Sequence, residues 1–421
     1  MRLSGELQVA GDKSITHRAI ILSSLATGQT VIHDPLLGAD CLSTLEIFKQ
    51  FGVTYQLTAN QLIIDSPGVD GFTYSNSILD AGNSGTTARL LMGVLSALPT
   101  TLTLVGDASL SKRPMKRVTS PLKQMGACIE LTHDQTLPAT IKGQSLNGIE
   151  YELPVASAQV KSAIMLAAMF ASGETKIHEP VPTRDHTEKM FEDFQIAYNK
   201  VNRMITVQGP QMPITPGEVF VPGDISSAAF FIVAALMVPG SDVMIENVGI
   251  NETRSGIIDV IRAMNGKITL VNERYFGGEP VADLHIQYTK DLVATTIEGD
   301  MIPRLIDEIP ILALLATRAK GITVIKDAEE LKVKETNRID VTVNQLKAIG
   351  AEIKSTDDGM IITGQPEGSF NQASVSSHKD HRIAMMLCVA SLLIDEPLII
   401  EDVESVSYTH LRAHETLRHL V

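Results

Sequence analysis

The 421-residue sequence contains no tryptophan, only 4% aromatic residues and three cysteines. The scarcity of aromatic rings argues against a protein that stacks nucleic-acid bases or sugars. The cysteines, Cys41, Cys128 and Cys388, lie far apart in apolar surroundings and lack metal-ligand spacing. Such cysteines predict buried thiols in a reducing compartment rather than a disulfide framework or a zinc site.

Long hydrophobic runs and an excess of positive charge are also missing. Although 44% of the residues are hydrophobic, no run of about 18 or more apolar residues could span a membrane. The net charge of −14 argues against nucleic acid or an anionic membrane as the main partner. The opening MRLSGELQVAG already has the pattern of a folded domain rather than of a targeting segment. We therefore expect a monomeric cytoplasmic protein of two or three domains.

What the sequence does contain is one pattern repeated six times. A short polar or glycine-containing turn opens an apolar helix, and a break then leads into a short β-branched strand. The copies begin near residues 11, 81, 154, 222, 306 and 378. A second, more polar helix follows each strand, and Gly126, Gly266 and Gly350 are predicted to end three of these helices in the left-handed conformation.

The first helix of each copy is apolar on nearly all sides, which predicts an α/β protein with helices buried inside and sheets outside. A boundary near VFVPGD (219–224) divides the copies three and three. We predict an N-terminal domain of residues 12–222 and a C-terminal domain of residues 1–11 plus 223–421. The helix N-termini of each domain would then converge, and two facing domains would aim them into one cleft.

The first helix start, GDKSITHRA (11–19), combines Lys13, Ser14 and Arg18. Helical spacing places Ser14, His17 and Arg18 on one face. Because free N–H groups and the helix dipole favour negative charge, this start could receive an anion. A solvated first turn is the alternative for one such stretch, and recurrence at later helix starts favours anion binding. His17 is interpreted as a structural neighbour.

Three further helix starts and one loop carry polar candidates. These are Asn83 in GNSGTTAR (82–89), Arg113 in SLSKRPMKR (109–117), Ser157, Gln159 and Lys161 in ASAQVKS (156–162), and Arg184 in TRDHTEKM (183–190). Turn formation, helix capping or a solvated charge run is the alternative for each. Pro114 holds Arg113 extended and able to point inward.

Acidic candidates lie in the second half of the chain. Asp307 and Glu308 open a helix whose next eight residues, IPILALLA, are apolar, where an unpaired carboxylate would be costly. These carboxylates either cap the helix or are held for proton transfer or substrate hydroxyls. In LKVKETNRID, Lys334, Glu335 and Arg338 are predicted on one helical face, as a salt-bridge set or as a site for an anionic substrate beside an acid/base group.

The last copy opens with HKDHR (378–382), a density of titratable groups that favours function over solubility. No G-x-S-x-G or C-x-x-C pattern occurs, so serine nucleophiles and zinc are unsupported. The interpretation that remains is metal-free chemistry on anionic substrates. Cations would bind phosphate and carboxylate oxygens, and Asp307 and Glu335 would move protons. The cations predicted for this role are Lys13, Arg18, Arg113, Arg338 and Arg382.

The motifs GDKSITHRA, LDAGNSGTTARLL, SKRPM, VASAQVKSA, TRDHTEKM, LKVKETNRI and KDHRIAM, in order over about residues 1–407, closely resemble the 5-enolpyruvylshikimate-3-phosphate (EPSP) synthases. The resemblance implies a two-domain inside-out α/β barrel, each domain built of three βαβαββ units around buried parallel helices. It implies transfer of the enolpyruvyl group of phosphoenolpyruvate to the 5-hydroxyl of shikimate 3-phosphate in aromatic amino acid biosynthesis. Addition–elimination would release phosphate in a cleft between the domains, with no metal or organic cofactor and with closure on substrate binding.

The same resemblance implies individual roles. Asp307 would orient or deprotonate the 5-hydroxyl, Glu335 would exchange a proton with the methylene carbon, and Lys334 would lie alongside. The implied contacts of shikimate 3-phosphate are Lys13, Ser14, Arg18, Ser157, Ala158, Gln159 and Arg184, with Asn83 also in the substrate site. The implied contacts of phosphoenolpyruvate are Lys13, Gly85, Arg113, Gln159, Arg338 and Arg382.

Two departures from the common family pattern are visible. Leu90 and Ala158 stand where many relatives carry proline and serine, as in the subgroup tolerant to the inhibitor glyphosate, although Gly85 is retained where some tolerant members carry alanine. The tail YTHLRAHETLRHLV (408–421) lacks the family's proline and aromatic-rich helix. We interpret this tail as foreign to the fold and expect it to weaken substrate binding.

Two alternatives stay open at this point. The related UDP-N-acetylglucosamine enolpyruvyl transferases carry a cysteine in the loop that here reads GDASLSKRP, at the position of Ala108, and none of the three cysteines is near it. A non-catalytic anion-binding protein of the same fold would not need Asp307 and Glu335.

Overall fold

The chain folds into two compact units in the computed structural model, which describes residues 2–394 and 398–402. The N-terminal unit consists of Gly11–Val221 and Phe276–Glu279. The C-terminal unit consists of the residues up to Ala10, Pro222–Tyr275 and the described residues from Pro280 onward. The predicted foreign tail, residues 408–421, lies outside the described residues.

The helices follow the polar turns along the chain. Their bounds are α1 Lys13–Leu25, α2 Ala39–Lys49, α3 Gly85–Leu95, α4 Lys116–Gln124, α5 Ala158–Ala168, α6 His186–Asp193, α7 Ile225–Met237, α8 Gly256–Ala263, α9 Ile302–Leu305, α10 Ile309–Ala316, α11 Arg338–Ala348 and α12 His381–Ser391.

The strands are short and lie between the helices. Their bounds are β1 Ser4–Gln8, β2 Thr27–His33, β3 Thr54–Leu57, β4 Gln61–Pro67, β5 Ile78–Asp80, β6 Thr101–Val105, β7 Cys128–Glu130, β8 Ala139–Lys142, β9 Glu150–Glu152, β10 Gly173–His178, β11 Tyr198–Val201, β12 Met204–Gly209, β13 Glu218–Phe220, β14 Asp242–Gly249, β15 Lys267–Phe276, β16 Glu279–Gln287, β17 Thr296–Ile297, β18 Ile322–Ile325, β19 Glu352–Ser355, β20 Met360–Thr363, β21 Ser374–Ser376 and β22 Ile399–Glu401.

One strand order recurs from sheet to sheet. In the sheet β5-β6-β8-β7, β5 and β6 are parallel and joined through α3, whereas β8 runs antiparallel to both of its neighbours. The sheets β9-β10-β12-β11 and β17-β18-β20-β19 have the same order. A parallel pair needs a crossover helix and an antiparallel pair needs only a turn, so each sheet corresponds to one βαβαββ unit.

Two sheets are completed by strands from distant parts of the chain. Strand β13 pairs in parallel with β2, so that Phe220 lies opposite His33. Strand β1 pairs in parallel with β14, so that Ser4 lies opposite Asp242. The first sheet of the N-terminal unit is thus completed by a strand from the end of its own long segment, and the first sheet of the C-terminal unit by a strand from the start of the chain.

The apolar helices that open each repeat form the cores. All 13 residues of α7 and all eight residues of α10 are buried, because a helix that is apolar on every side has no face suited to water. Helices α1, α3 and α5 are likewise largely buried in the N-terminal unit. The predicted α/β class is thus confirmed. In the described part of the chain, no helix is both long and apolar enough to cross a membrane.

The prediction of left-handed glycines is wrong at one of three positions. Gly126 and Gly350 have φ angles of 100° and 98°. At the end of α8 the left-handed residue is Asn265, with φ 64°, rather than Gly266. Asparagine tolerates this conformation because its short side chain bonds locally, and here its Nδ2 donates to the Asp291 carbonyl at 3.2 Å. Gly266 is needed for space, since a Cβ there would lie 2.4 Å from Ile261 Cγ2.

Candidate active site

Arg18 is held inside the N-terminal unit by uncharged groups. It lies in the second turn of α1 and is only 4% exposed. Its Nε donates to Thr187 Oγ1 and its Nη2 to Ser162 Oγ, both at 2.6 Å, and Nη1 donates to the Ser14 carbonyl at 2.9 Å. Burial lowers the pKa of Arg18 to about 10, although the nearby Glu188 opposes the shift. The guanidinium therefore stays protonated at neutral pH.

Lys13 is the first residue of α1. Asp12 caps the helix, because its carboxylate accepts a hydrogen bond from Ile15 N at 2.9 Å. The Lys13 ammonium forms an ion pair with Asp40, which lies in the first turn of α2, and both side chains remain partly exposed. The start of α1 thus presents a partly exposed cation in the turn that precedes the buried Arg18.

His17 lies behind this helix start and is fully buried. Its Nδ1 is 2.9 Å from Thr44 Oγ1, and Thr44 Oγ1 is 2.7 Å from Thr87 Oγ1. Burial lowers the pKa of His17 to about 3, so the imidazole is neutral. Its hydroxyl partners connect α1 with α2 and α3, in keeping with the structural role predicted for it.

Asn83 connects a carboxylate to a guanidinium in the loop before α3. Its Nδ2 donates to Asp107 Oδ2 at 2.6 Å, and its Oδ1 accepts from Arg113 Nη2 at 3.1 Å. Arg113 has the extended backbone that the following proline predicts, with φ −82° and ψ 132°. Although burial alone raises the pKa of Asp107, hydrogen bonds from Asn83 and two backbone N–H groups lower it.

Gly85 begins α3 beneath two arginine side chains. A Cβ at this position would lie 2.8 Å from Arg89 Nη1 and 3.4 Å from Arg113 Nη1. Arg89 Nη1 also donates to Gln159 Oε1 at 2.7 Å, and Gln159 Nε2 donates to Thr86 Oγ1 at 3.0 Å. The structure therefore brings GNSGTTAR together with the start of α5, which lies about 70 residues later.

The start of α5 divides its polar residues between capping and burial. Ser157 caps the helix by accepting from Val160 N at 3.4 Å, and Ala158 is the first helical residue. Lys161 has no exposed surface and lies 2.7 Å from Glu188 and 3.1 Å from Glu179. Sequence reasoning missed both acids as its partners. No local pattern pointed to this pairing, because Glu188 lies 27 residues beyond Lys161.

Arg184 lies in the loop before α6, between these two acids in the chain, with part of its surface exposed. The neighbouring Thr183 donates its backbone N–H and its hydroxyl to Glu179 Oε1, at 3.1 and 2.5 Å. Glu179 therefore holds the loop that carries Arg184.

Arg338 gathers three carboxylates in the C-terminal unit. It is 2% exposed, and its Nη1 lies 3.3 Å from Asp307 Oδ1, its Nη2 2.6 Å from Glu335 Oε2, and its Nε 2.8 Å from Asp380 Oδ2. Burial alone would lower the pKa of Arg338, but the three carboxylates raise it above its ordinary value. Two acids chosen from separate sequence motifs, Asp307 and Glu335, are thus joined by one cation.

The predicted helical face of Lys334, Glu335 and Arg338 is wrong. Helix α11 begins only at Arg338, because Asn337 caps it and accepts from Asp340 N at 3.3 Å. Asparagine is a strong N-cap that interrupts helical geometry at its own position. Lys334 lies in the preceding turn, where its Nζ is 3.9 Å from Glu330 Oε1. Glu335 therefore contacts Arg338 from the loop that precedes α11.

The HKDHR segment forms the cap of α12. Asp380 accepts from Arg382 N at 2.9 Å while its second oxygen binds Arg338. The two residues before it, His378 and Lys379, take left-handed φ angles of 51° and 63°. Arg382 Nη1 donates to the Ser226 carbonyl at 3.3 Å. The segment therefore serves both as a helix cap and as a source of cations.

Sequence reasoning also missed a second buried cation in this unit. Arg254 Nη2 donates to Asp224 Oδ1 at 3.1 Å and to Ser226 Oγ at 2.7 Å, and its Nη1 lies 3.8 Å from Asp307 Oδ2. A signal was available for Asp224, because the GD of PGDISS repeats the GD of GDKSIT and its aspartate likewise caps the helix that follows. No local pattern marked Arg254.

Comparisons with known proteins agree over almost the whole chain. The profile of the EPSP synthase (3-phosphoshikimate 1-carboxyvinyltransferase) family matches residues 1–417. The 3-phosphoshikimate 1-carboxyvinyltransferase of Staphylococcus haemolyticus is 53% identical over 406 residues, which cover 96% of this chain and 93% of that protein. The protein of the same name from Bacillus subtilis is 48% identical over 419 residues, with 99% and 97% covered.

Solved structures extend the comparison to the fold. The EPSP synthase from Acinetobacter baumannii superposes with a TM-score of 0.91 at 42% identity, covering 100% of this chain and 96% of that one. The enolpyruvyl transferase NikO from Streptomyces tendae gives a TM-score of 0.81 at 16% identity, with 100% and 95% covered. The second likeness concerns the fold alone.

Proposed function

Because the chain belongs to the EPSP synthase family, the 3-phosphoshikimate 1-carboxyvinyltransferases, we propose how its own residues divide the work of the transfer. The enzyme transfers the enolpyruvyl group of phosphoenolpyruvate to the 5-hydroxyl of shikimate 3-phosphate and releases phosphate. Both substrates are anions, and the reaction moves protons at an oxygen and at a carbon. The reaction therefore requires cations that can attract these anions. It also requires acids that are held in fixed positions.

Shikimate 3-phosphate is assigned to the start of α1 and its surroundings. Arg18 keeps its positive charge because its partners are hydroxyls and a carbonyl, and Lys13 at the start of the same helix is partly exposed. Arginine binds phosphate and carboxylate oxygens through paired N–H donors. The remaining residues proposed for this substrate are Ser14, Asn83, Ser157, Ala158, Gln159 and Arg184.

Phosphoenolpyruvate is assigned to a second set of cations. Arg113 is positioned by Asn83, and Gly85 leaves room under the guanidinium of Arg113. Lys13 takes part in binding both substrates, with Gln159 beside it. In the C-terminal unit, Arg338 and Arg382 are proposed to bind the same substrate.

Asp307 and Glu335 are the proposed proton-transfer groups. Asp307 takes the proton of the 5-hydroxyl as this oxygen attacks C2 of phosphoenolpyruvate, while Glu335 gives a proton to the methylene carbon. Glu335 then takes a proton back from the resulting methyl group as the bond from C2 to phosphate oxygen breaks. Lys334 lies in the turn beside Glu335. The observation that carries this assignment is that the buried Arg338 contacts both carboxylates, at 3.3 and 2.6 Å.

The test is phosphate release from phosphoenolpyruvate, measured with and without shikimate 3-phosphate and in parallel with UDP-N-acetylglucosamine. We expect release only with shikimate 3-phosphate. Asp307→Asn and Glu335→Gln should each lower kcat by about 100- to 10,000-fold, the usual contribution of a general acid or base.

Glu352→Gln is the matched control, since Glu352 is an exposed acid on β19 of the same unit. Its activity should equal that of the wild type. Phosphate release with UDP-N-acetylglucosamine instead would favour a UDP-N-acetylglucosamine enolpyruvyl transferase. Undiminished phosphate release by both acid variants would show that other residues transfer the protons.

Tolerance to glyphosate is a further part of the proposal. It rests on Leu90, buried in α3, and Ala158 at the start of α5, while the retained Gly85 counts against it. Inhibition curves against phosphoenolpyruvate should show weak inhibition, and sub-micromolar sensitivity would contradict tolerance. We also keep the prediction of a monomeric cytoplasmic enzyme, which light scattering of the purified chain tests for its oligomeric state.

A further inference from the structure

Glu308 has no part in the roles assigned above, although it directly follows Asp307. It is 1% exposed and stands at the N-cap position of α10. Its side chain does not cap the helix, so the capping role considered from the sequence does not apply to it. Oε1 accepts a hydrogen bond from Ser226 Oγ, and Oε2 makes no hydrogen bond within the described part of the chain. Burying a carboxylate in this way costs folding free energy. A functional role would explain why the residue is present.

The Ser226 hydroxyl can be oriented in only one way. Arg254 Nη2 lies 2.7 Å from Ser226 Oγ, and a guanidinium can only donate. Ser226 Oγ must therefore accept from Arg254 and direct its single proton elsewhere. Glu308 Oε1 is the acceptor for that proton. Glu308 thus fixes the hydroxyl in the orientation that binds Arg254.

Arg254 connects the oriented Ser226 hydroxyl to Asp307, the proposed base. Its guanidinium is fixed from two sides, by Ser226 and by Asp224 Oδ1 at 3.1 Å, and its Nη1 lies 3.8 Å from Asp307 Oδ2. Asp307 is less enclosed, with 19% of its side chain exposed. A rigid cation beside a partly exposed carboxylate restricts the orientations of that carboxylate.

We propose that Glu308 is a positioning residue for the reaction, which acts through the Ser226 hydroxyl and Arg254 to hold Asp307 in its catalytic orientation. This inference rests on the proposed role of Asp307. It assigns Glu308 no contact with either substrate. The path runs from the start of α10 through the first turn of α7 to the loop before α8, and returns to the residue preceding Glu308.

The electrostatic surroundings agree with this role. Burial, the largest effect, raises the pKa of Glu308, and the adjacent Asp307 raises it further, whereas Arg254 and Arg382 oppose the shift. Protonated Glu308 still offers Oε1 as an acceptor if the proton resides on Oε2. The positioning path therefore works in either protonation state, and it requires an acceptor atom rather than a charge.

The experiment compares Glu308→Leu, Glu308→Gln, Ser226→Ala and the double variant Glu308→Leu/Ser226→Ala, with rates normalised to the folded fraction measured by circular dichroism. Leucine removes the acceptor and fills the space, whereas glutamine keeps Oε1. We expect Glu308→Leu and Ser226→Ala each to lower kcat by about 10- to 100-fold, with KM for both substrates changed by less than about three-fold. Glu308→Gln should retain kcat to within about three-fold, because its amide oxygen accepts from Ser226.

The double variant should be no slower than Ser226→Ala alone, since both substitutions break the same path. The control is Thr323→Val on β18, which removes a buried hydroxyl that has no hydrogen-bond partner among the described residues, and it should leave kcat unchanged. The inference is overturned if Glu308→Leu and Ser226→Ala keep the wild-type kcat, if Glu308→Gln is as slow as Glu308→Leu, or if the two losses multiply.

Asp307→Asn, measured alongside, separates the two proposals. Full activity of Asp307→Asn would overturn the proposed function together with this inference. A slow Asp307→Asn beside fast Glu308 and Ser226 variants would overturn this inference only.

Discussion

Arg18 in the N-terminal unit and Arg338 in the C-terminal unit are both almost completely buried, yet their partners are of opposite kinds. Arg18 donates to the hydroxyls of Thr187 and Ser162. Arg338 contacts carboxylates, among them Glu335 at 2.6 Å. The pKa of Arg18 is lowered to about 10 by burial, whereas carboxylates raise that of Arg338.

This difference shows two uses of a buried cation. Hydroxyl partners satisfy the N–H groups of Arg18 without neutralising its charge, so the charge remains available to an anionic substrate. Glu188, the carboxylate that most opposes the lowering of the pKa of Arg18, lies 2.7 Å from Lys161. Carboxylate partners compensate the charge of Arg338, so this arginine also orients acids, in addition to the contact with phosphoenolpyruvate proposed for it.

The largest expected effect is on stability. Arg338→Met leaves three carboxylates without their shared cation and should lower the free energy of unfolding by about 3–5 kcal/mol. Arg18→Met leaves two hydroxyls that still bond to each other at 2.7 Å, and should cost about 1–2 kcal/mol. Urea unfolding of both variants checks the comparison. Equal losses would show that the two environments do not differ as proposed.

Substrate affinity is expected to change next. Arg18→Gln removes a charge that is not neutralised in the free enzyme and should raise KM for shikimate 3-phosphate by about 10- to 100-fold, with kcat changed much less. Steady-state kinetics with phosphoenolpyruvate at saturation provide the measurement. Thr187→Val, which removes one hydroxyl partner and keeps the charge, serves as the control and should have a smaller effect. A loss of kcat at constant KM would instead place Arg18 among the positioning residues.

The reliance of the N-terminal unit on neutral hydrogen bonds also predicts a dependence on pH. The pKa of His17 is about 3 in the folded protein and 6.5 ordinarily, so the stability it contributes is present above pH 6.5 and is lost as the pH falls toward 3. Between pH 7 and pH 5 the wild type should lose about 2 kcal/mol that His17→Gln does not lose. Unfolding free energies of both proteins at the two pH values decide the matter, and parallel losses would contradict a neutral buried His17.

The smallest expected effect is at Gly85. A Cβ there would approach the movable ends of Arg89 and Arg113 at 2.8 and 3.4 Å. Gly85→Ala should therefore change the free energy of unfolding by less than about 1 kcal/mol, while KM for phosphoenolpyruvate rises several-fold as the end of Arg89, which donates to Gln159, is displaced. A change confined to KM for shikimate 3-phosphate would argue against the assignment of Gly85 to phosphoenolpyruvate.

The starts of the buried helices could be identified from the sequence because helix signals are local. An Asp or Ser cap lies within three residues of the N–H group it binds, as Asp12 does with Ile15, and an apolar helix is evident from its own composition. The same logic failed at Lys334, where Asn337 interrupts the assumed helix, and at Gly266, where Asn265 ends the helix instead.

The partners of the charged groups could not be predicted in this way. Thr187 lies 169 residues from Arg18, and Ser226 lies 82 residues from Glu308. No periodicity or spacing connects such residues, because they meet where helices distant in the chain pack against each other, as α1 does with α6 and α7 with α10.

The sequence by itself determined the α/β class, the six buried helices with polar starts and the family to which the chain belongs. The tertiary structure alone decided which group stands beside each buried charge. The physical reason is the removal of water: at the surface, solvent screens a charge whatever its neighbours are, but in the interior the neighbouring residues set its energy. Arg18 in the second turn of α1 and Arg338 at the start of α11 are the same amino acid, and their partners give them different electrostatic surroundings.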